Sequence, residues 1–127
     1  MWQKYIMILI VMLVIDGIYL GFIQKDYLAS KMKEINQDKI VQHPMWSIVL
    51  TYLVMSFALY YFVLKDSDKK STSQIFYETF LLAATIYIVF DLSMLNLVSN
   101  WYVSDAIKDV LWGIILFSLI TLIVINF

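Results

Sequence analysis

Residues 44–64 read PMWSIVLTYLVMSFALYYFVL, a run without a single charged side chain. A helix crosses a hydrocarbon core of about 30 Å with about 20 mainly apolar residues, at about 1.5 Å per residue. This stretch is long enough, and three others join it. Residues 5–23 are broken only by Asp16, residues 75–98 carry Glu78 near their start and Asp91 inside, and residues 104–127 are uncharged after Asp109. Backbone polar groups in lipid must be satisfied within the segment, so the four are expected to be helices. A cleaved signal peptide is set aside for the first, because its apolar run is too long, holds Asp16 and lacks a small-residue cleavage site.

Composition agrees. Of 127 residues, 62% are hydrophobic and 17% aromatic, and the mean hydropathy is +0.80, outside the range of soluble globular chains. The expected fold is all-α: a polytopic, four-transmembrane-helix bundle forming a single membrane domain over residues 1–127. Nine lysines and no arginine stand against ten acids, which gives no basis for nucleic-acid binding or a polybasic lipid anchor. Cysteine is absent, which removes disulfide and thiolate chemistry. With His43 as the sole histidine, bis-histidine haem and zinc or di-iron chemistry are not expected. No helix carries a deep lysine for a retinal Schiff base, and no phosphate loop, nucleophile elbow or EF-hand pattern appears. We assign no catalytic residue, metal ligand or cofactor.

The connections differ. Residues 24–43 place Lys25, Lys31, Lys33 and Lys39 against Asp26, Glu34 and Asp38, with Tyr27, Leu28, Met32, Ile35 and Ile40 at near-helical spacing, which predicts a short amphipathic helix at the interface. Residues 65–73 form a polar turn. Residues 99–103 form a tight one that makes the third and fourth helices an antiparallel hairpin. Pro44 suits a first helical turn, and Ser104 or Asp105 can cap the fourth helix. Trp2, Tyr5, Trp46, Trp101 and Tyr102 are expected as interfacial anchors. Lysines divide four against five between the two sides, so orientation is not assigned.

A carboxylate in hydrocarbon costs roughly 2.5–3.5 kcal/mol on the insertion scale and normally has a partner. Counted from the face bearing residues 24–43, Asp16, Tyr52 and Asp91 lie about 12 Å deep and Asp109 about 7 Å. All four helices thus offer a polar group to one layer. Tyr19, Tyr87 and Trp112 share helical faces with these acids, while Gly17, Gly21 and Gly113 are expected to let helices approach closely. Three carboxyls in a low dielectric do not all ionise and titrate as a set. The bland counterpart is an interhelical staple worth about 0.6 kcal/mol per bond. Lys108 reads as a snorkelling lysine, and His43 as a loop histidine more readily than a proton relay.

These same residues resemble the four-helix membrane family called domain of unknown function 2177 over nearly the whole length. Asp16 to Gly21 (D-G-I-Y-L-G) is similar to its Asp-x-x-Trp-Leu-Gly, followed by a tyrosine matching Tyr27. Phe90 to Met94 (F-D-L-S-M) stands where the family favours Tyr-Asp-Leu-Thr-Asn, followed by Trp101; Asp109 to Gly113 (D-V-L-W-G) is like its Asp-x-x-Trp-Gly. Ser93 in place of threonine joins the pocket through this resemblance, and Met94 departs from the family's asparagine. The resemblance implies a fold and motif positions and carries no activity.

The functional expectation is a proton- or cation-linked small transporter or channel component, with a pocket of Asp16, Tyr19, Tyr52, Tyr87, Asp91, Ser93, Asp109 and Trp112. Its surroundings are the lipid bilayer, and a homo-dimer or larger homo-oligomer is expected because four helices enclose little space. The competing expectations are a lipid-modifying membrane enzyme or subunit, using an aspartate as general acid or base, and a structural or assembly protein.

Overall fold

A computed structural model describes residues 2–36 and 45–127. Five α-helices make up the described chain: α1 (Trp2–Ile18), α2 (Lys25–Ile35), α3 (Met45–Leu59), α4 (Thr72–Leu97) and α5 (Val103–Ile125). No strand occurs among the described residues. Helices α1 and α3 each run on through a π-helical turn, Tyr19–Ile23 and Tyr60–Leu64 respectively. With those turns included, four segments are long and apolar enough to cross a membrane. The expected roles of His43 and Pro44 fall outside the described residues, as does the second part of the 24–43 segment.

Local chemistry sets several boundaries. The Ser71 hydroxyl accepts from the Gln74 N–H at 3.2 Å and caps α4. At the other end of the bundle, Tyr102 takes the cap position just before α5, and its N–H donates to Asp105 Oδ2 at 2.9 Å. Asp105 therefore closes the start of α5 from its third position and is not the cap itself. The carbonyls left free by the π-turn after α3 are met by lysines from elsewhere: Lys4 Nζ donates to Leu64 O at 2.9 Å and Lys70 Nζ to Val63 O at 3.0 Å. Lys70 also pairs with Glu78 at 2.6 Å, which neutralises the acid at the start of α4.

Packing is uneven along the bundle axis. Helices α4 and α5 form the expected hairpin and make the most extensive interface; α1 packs on both α3 and α5. Ile8 and Met12 from α1, Leu59, Val63 and Leu64 near the end of α3, Ile75 and Ala83 from α4, and Leu116, Phe117, Ile120 and Val124 from α5 form one buried cluster. All of it lies toward the 65–71 turn. Thr79 and Thr121 share a hydrogen bond there at 3.1 Å, and Thr79 also satisfies itself on Ile75 O, so the polar atoms in this dry half are partnered. In the other half, α3 and α4 part, and the wedge between them holds the site described next.

Candidate intramembrane carboxylate site

Asp16 is the best tied of the three aspartates Asp16, Asp91 and Asp109. The Tyr52 hydroxyl of α3 donates to its Oδ2, and the Trp112 indole Nε1–H of α5 donates to its Oδ1 at 2.9 Å. One side chain thus joins three helices. Tyr19, one turn further on, stacks flat against Trp112 with ring centroids 3.7 Å apart and planes at 10°, which fixes the indole so that its N–H points at the carboxyl. The π-turn begins at this tyrosine, and such turns recur at functional sites. Asp16→Ala leaves a phenol and an indole N–H without acceptors inside the bundle; the expected loss is about 1–3 kcal/mol in detergent unfolding, with Asp16→Asn intermediate.

Asp91 and Asp109 behave differently. They face each other across the α4–α5 hairpin. Asp91 is 1% exposed and accepts from Trp101 Nε1–H at 3.2 Å through Oδ1. The Oδ2 atoms of Asp91 and Asp109 are both buried and accept from no donor. Ionised carboxylates only accept, so two of them facing one another leave an unmet demand for a proton or a cation.

Two cavities meet at Asp109. The larger, about 670 Å³, lies in the wedge between α3 and α4 and is lined by Asp16, Tyr52, Tyr87, Asp109 and Trp112 on its inner side and by apolar residues such as Ile48, Val54, Met55 and Phe90 elsewhere. The smaller, about 50 Å³, runs from Asp109 past Tyr19 and Tyr27 to Asp105 and Lys108, toward the side occupied by α2. Tyr87 reaches the larger cavity because Gly113 lies opposite it: a Cβ built there would overlap the tyrosine ring.

Helix α2 is latched over this end. Lys31 Nζ pairs with Asp105 at 2.9 Å and donates to Asn100 O at 3.1 Å; Tyr27 donates to the other Asp105 oxygen; Asn100 Nδ2 returns a bond to Glu34 O at 2.9 Å. Lys108 Nζ sits 3.7 Å above the Tyr27 ring, a cation–π contact in addition to the interfacial placement expected of it. Burial and the bond to Asp105 push the Tyr27 phenol well above the ordinary tyrosine range. The hydrogen bond to Asp105 raises Lys31 in turn. A raised lysine stabilises the latch fully below its unfolded value, about 10.4, and loses that contribution as pH rises through the folded value. A nitroxide on a Ser30→Cys variant is therefore expected to stay immobile at neutral pH and loosen only above about pH 10.5. Lys31→Met should loosen it at every pH and lower stability by about 1–3 kcal/mol, since Asp105 keeps only its neutral donors.

Of the expected pocket residues, Asp16, Tyr52, Tyr87, Asp109 and Trp112 line the larger cavity, Tyr19 braces Trp112, and Asp91 meets Asp109 behind it. Ser93 does not join them. It is exposed on the outer side and bonds back to Val89 O at 2.8 Å, because two residues beyond Asp91 is about 200° around a helix. Gly17 and Gly21 have no neighbour within 4 Å, so neither serves a close helix approach. Trp101, expected as an interfacial anchor, is instead 9% exposed and serves Asp91. Asp105 and Lys31 carry a role in the latch that spacing did not reveal; the only trace was the tyrosine matching Tyr27.

Fold and composition together define a multi-pass integral membrane protein, all-α, with four helices long and apolar enough to cross a membrane. The sequence model of a family described as "Predicted membrane protein (DUF2177)" matches residues 1–126, and the chain belongs to that family. No curated protein and no solved structure matches it.

Proposed function

We propose that the carboxylate layer exchanges a proton, in competition with a cation or amine, as part of a small transporter or channel component. The observation that carries this reading is the Asp91–Asp109 pair, with one buried oxygen on each acid lacking a donor. A single proton held between the two gives each orphan atom a partner, and a cation can take the same place. Asp109 also stands where the wedge cavity meets the small cavity beneath α2, which offers the pair access from two directions. Beyond the layer the Ile8, Met12 and Phe117 cluster closes the bundle, so passage to the opposite side calls for helix movement or a homo-dimer within the bilayer.

A lipid-modifying enzyme or subunit is the second reading, and the opening of the wedge cavity toward hydrocarbon favours it. The structural reading applies best to Asp16, whose two oxygens are both tied. Reconstitution into liposomes with an internal pH-sensitive dye separates them: an imposed pH gradient should decay faster with wild-type protein than with Asp109→Asn. Equal decay in both, from protein of equal helicity, would refute proton exchange.

A further inference from the structure

The wedge cavity has a shape and charge of its own. Its outer rim is formed by Ile48, Leu50, Val54 and Phe90, which are between 41% and 57% exposed and lie within the spanning segments, so the opening faces hydrocarbon. The main approach of the α3 segment to α4 comes further along, where its Tyr60–Leu64 turn meets α4. The volume of about 670 Å³ falls within the roughly 300–1,000 Å³ of small-molecule sites, which combine apolar walls with a few placed polar groups. Here the polar groups are at the inner end. They comprise two carboxylates and three aromatic rings, and among the described residues no lysine lines the cavity.

The two acids are not equivalent toward a ligand. Both Asp16 oxygens already accept hydrogen bonds. Asp109 lines the cavity, and behind that surface it and the almost fully buried Asp91 each hold one buried oxygen with no donor. Two lysines at this end of the bundle are engaged elsewhere: Lys31 by Asp105 and Lys108 over the Tyr27 ring. The inner end therefore combines negative charge, unsatisfied acceptors, and Trp112, Tyr52 and Tyr87 rings suited to a neighbouring cation. A neutral alcohol would supply one donor and no charge. A quaternary ammonium would supply charge and no donor. A primary ammonium supplies both.

We propose that the wedge cavity binds a single-chain primary amine from the bilayer, its ammonium on Asp109 and Asp91 and its hydrocarbon chain between α3 and α4. This rests on the proton-exchange reading and names the ligand class of that site: the ammonium enters where the shared proton leaves. Apolar burial alone would accept any chain of suitable size, so the head group is the specific part of the claim.

The test uses full-length protein in lipid nanodiscs, with dodecylamine as probe and dodecanol and dodecyltrimethylammonium as controls, followed by intrinsic tryptophan fluorescence and by native mass spectrometry. Saturable binding of dodecylamine, at least about tenfold tighter than either control, is expected. Asp109→Asn should remove that preference. Val54→Trp, a change at the exposed rim, should block dodecylamine while keeping wild-type helicity and thermal unfolding, and it guards against a folding defect in the Asp109 variant. Equal binding of all three probes, or dodecylamine binding unchanged by both variants, would overturn the proposal. Absence of dodecylamine binding with proton exchange intact overturns the amine site alone; absence of both overturns the proton-exchange reading with it.

Discussion

Asp91→Asn protein is expected to fold like the wild type and to lose proton exchange down to the level of protein-free liposomes. Donors and acceptors at this position decide the outcome. An asparagine there keeps an oxygen for the Trp101 indole, which in the wild type donates to Asp91 Oδ1 at 3.2 Å. Its amide NH2 can donate to Asp109, supplying the hydrogen that a shared proton would otherwise supply. Both buried oxygens that lack donors are thereby dealt with, one by replacement and one by pairing. The stability change is expected within about 1 kcal/mol, since one interhelical hydrogen bond in a membrane contributes about 0.6 kcal/mol on average. What vanishes is the exchangeable proton. Asp91→Leu is the contrasting variant: it strands Asp109 and the Trp101 N–H together, and a loss of about 2–4 kcal/mol is expected. Circular dichroism and thermal unfolding in detergent check the fold, and the dye-loaded liposomes check the exchange. If Asp91→Asn dissipates the gradient as fast as wild type, the pair is a staple and nothing more.

Gly113→Leu is expected to lower stability by about 3 kcal/mol or more and to unseat Tyr87. A Cβ at position 113 would overlap the Tyr87 ring at its root, including Cγ, as well as at Cδ2 and Cε2. Rotation of the ring about its own axis cannot clear a clash at Cγ, so the whole side chain must leave, or α4 must shift on α5. Either response disturbs the largest helix interface, and Tyr87 also meets Phe117 edge-on at 6.1 Å in the buried cluster. Overpacking a filled core typically costs about 1–3 kcal/mol for small insertions. Gly113→Ala brings the same Cβ and so the same clash; it is expected to destabilise less than leucine only by the missing outer methyls and by the up to about 1 kcal/mol of helix propensity that alanine returns. Thermal unfolding of the two variants gives the ranking, and a stable Gly113→Leu protein would show that the hairpin has slack at this level.

The layer's depth was readable from the chain because helices have a fixed rise: counting inward from the 24–43 side put Asp16, Tyr52 and Asp91 level with one another. Asp109 and Trp112 followed from the same count with helical spacing. Ser93 shows the limit of a motif taken as a block, since its neighbour Asp91 points inward and it points out. Trp101 shows the limit of position along the chain. An aromatic at a span end is ordinarily an anchor, and nothing local announces that the 98–102 turn folds its indole back onto Asp91. The glycines divide likewise: Gly113 faces a tyrosine, whereas Gly17 and Gly21 face no side chain.

Hydropathy and length alone determined that this chain makes four helices able to cross a membrane, because hydrocarbon leaves the backbone no other way to satisfy its polar groups along a single segment. Rise per residue determined which polar residues share a level. Only the tertiary structure decided which acids are tied and which are short of donors, because that depends on the rotation of each helix about its axis, set by packing across the whole interface. It also decided that α3 and α4 diverge beside the carboxylates, and that Lys31 and Tyr27 hold α2 over them.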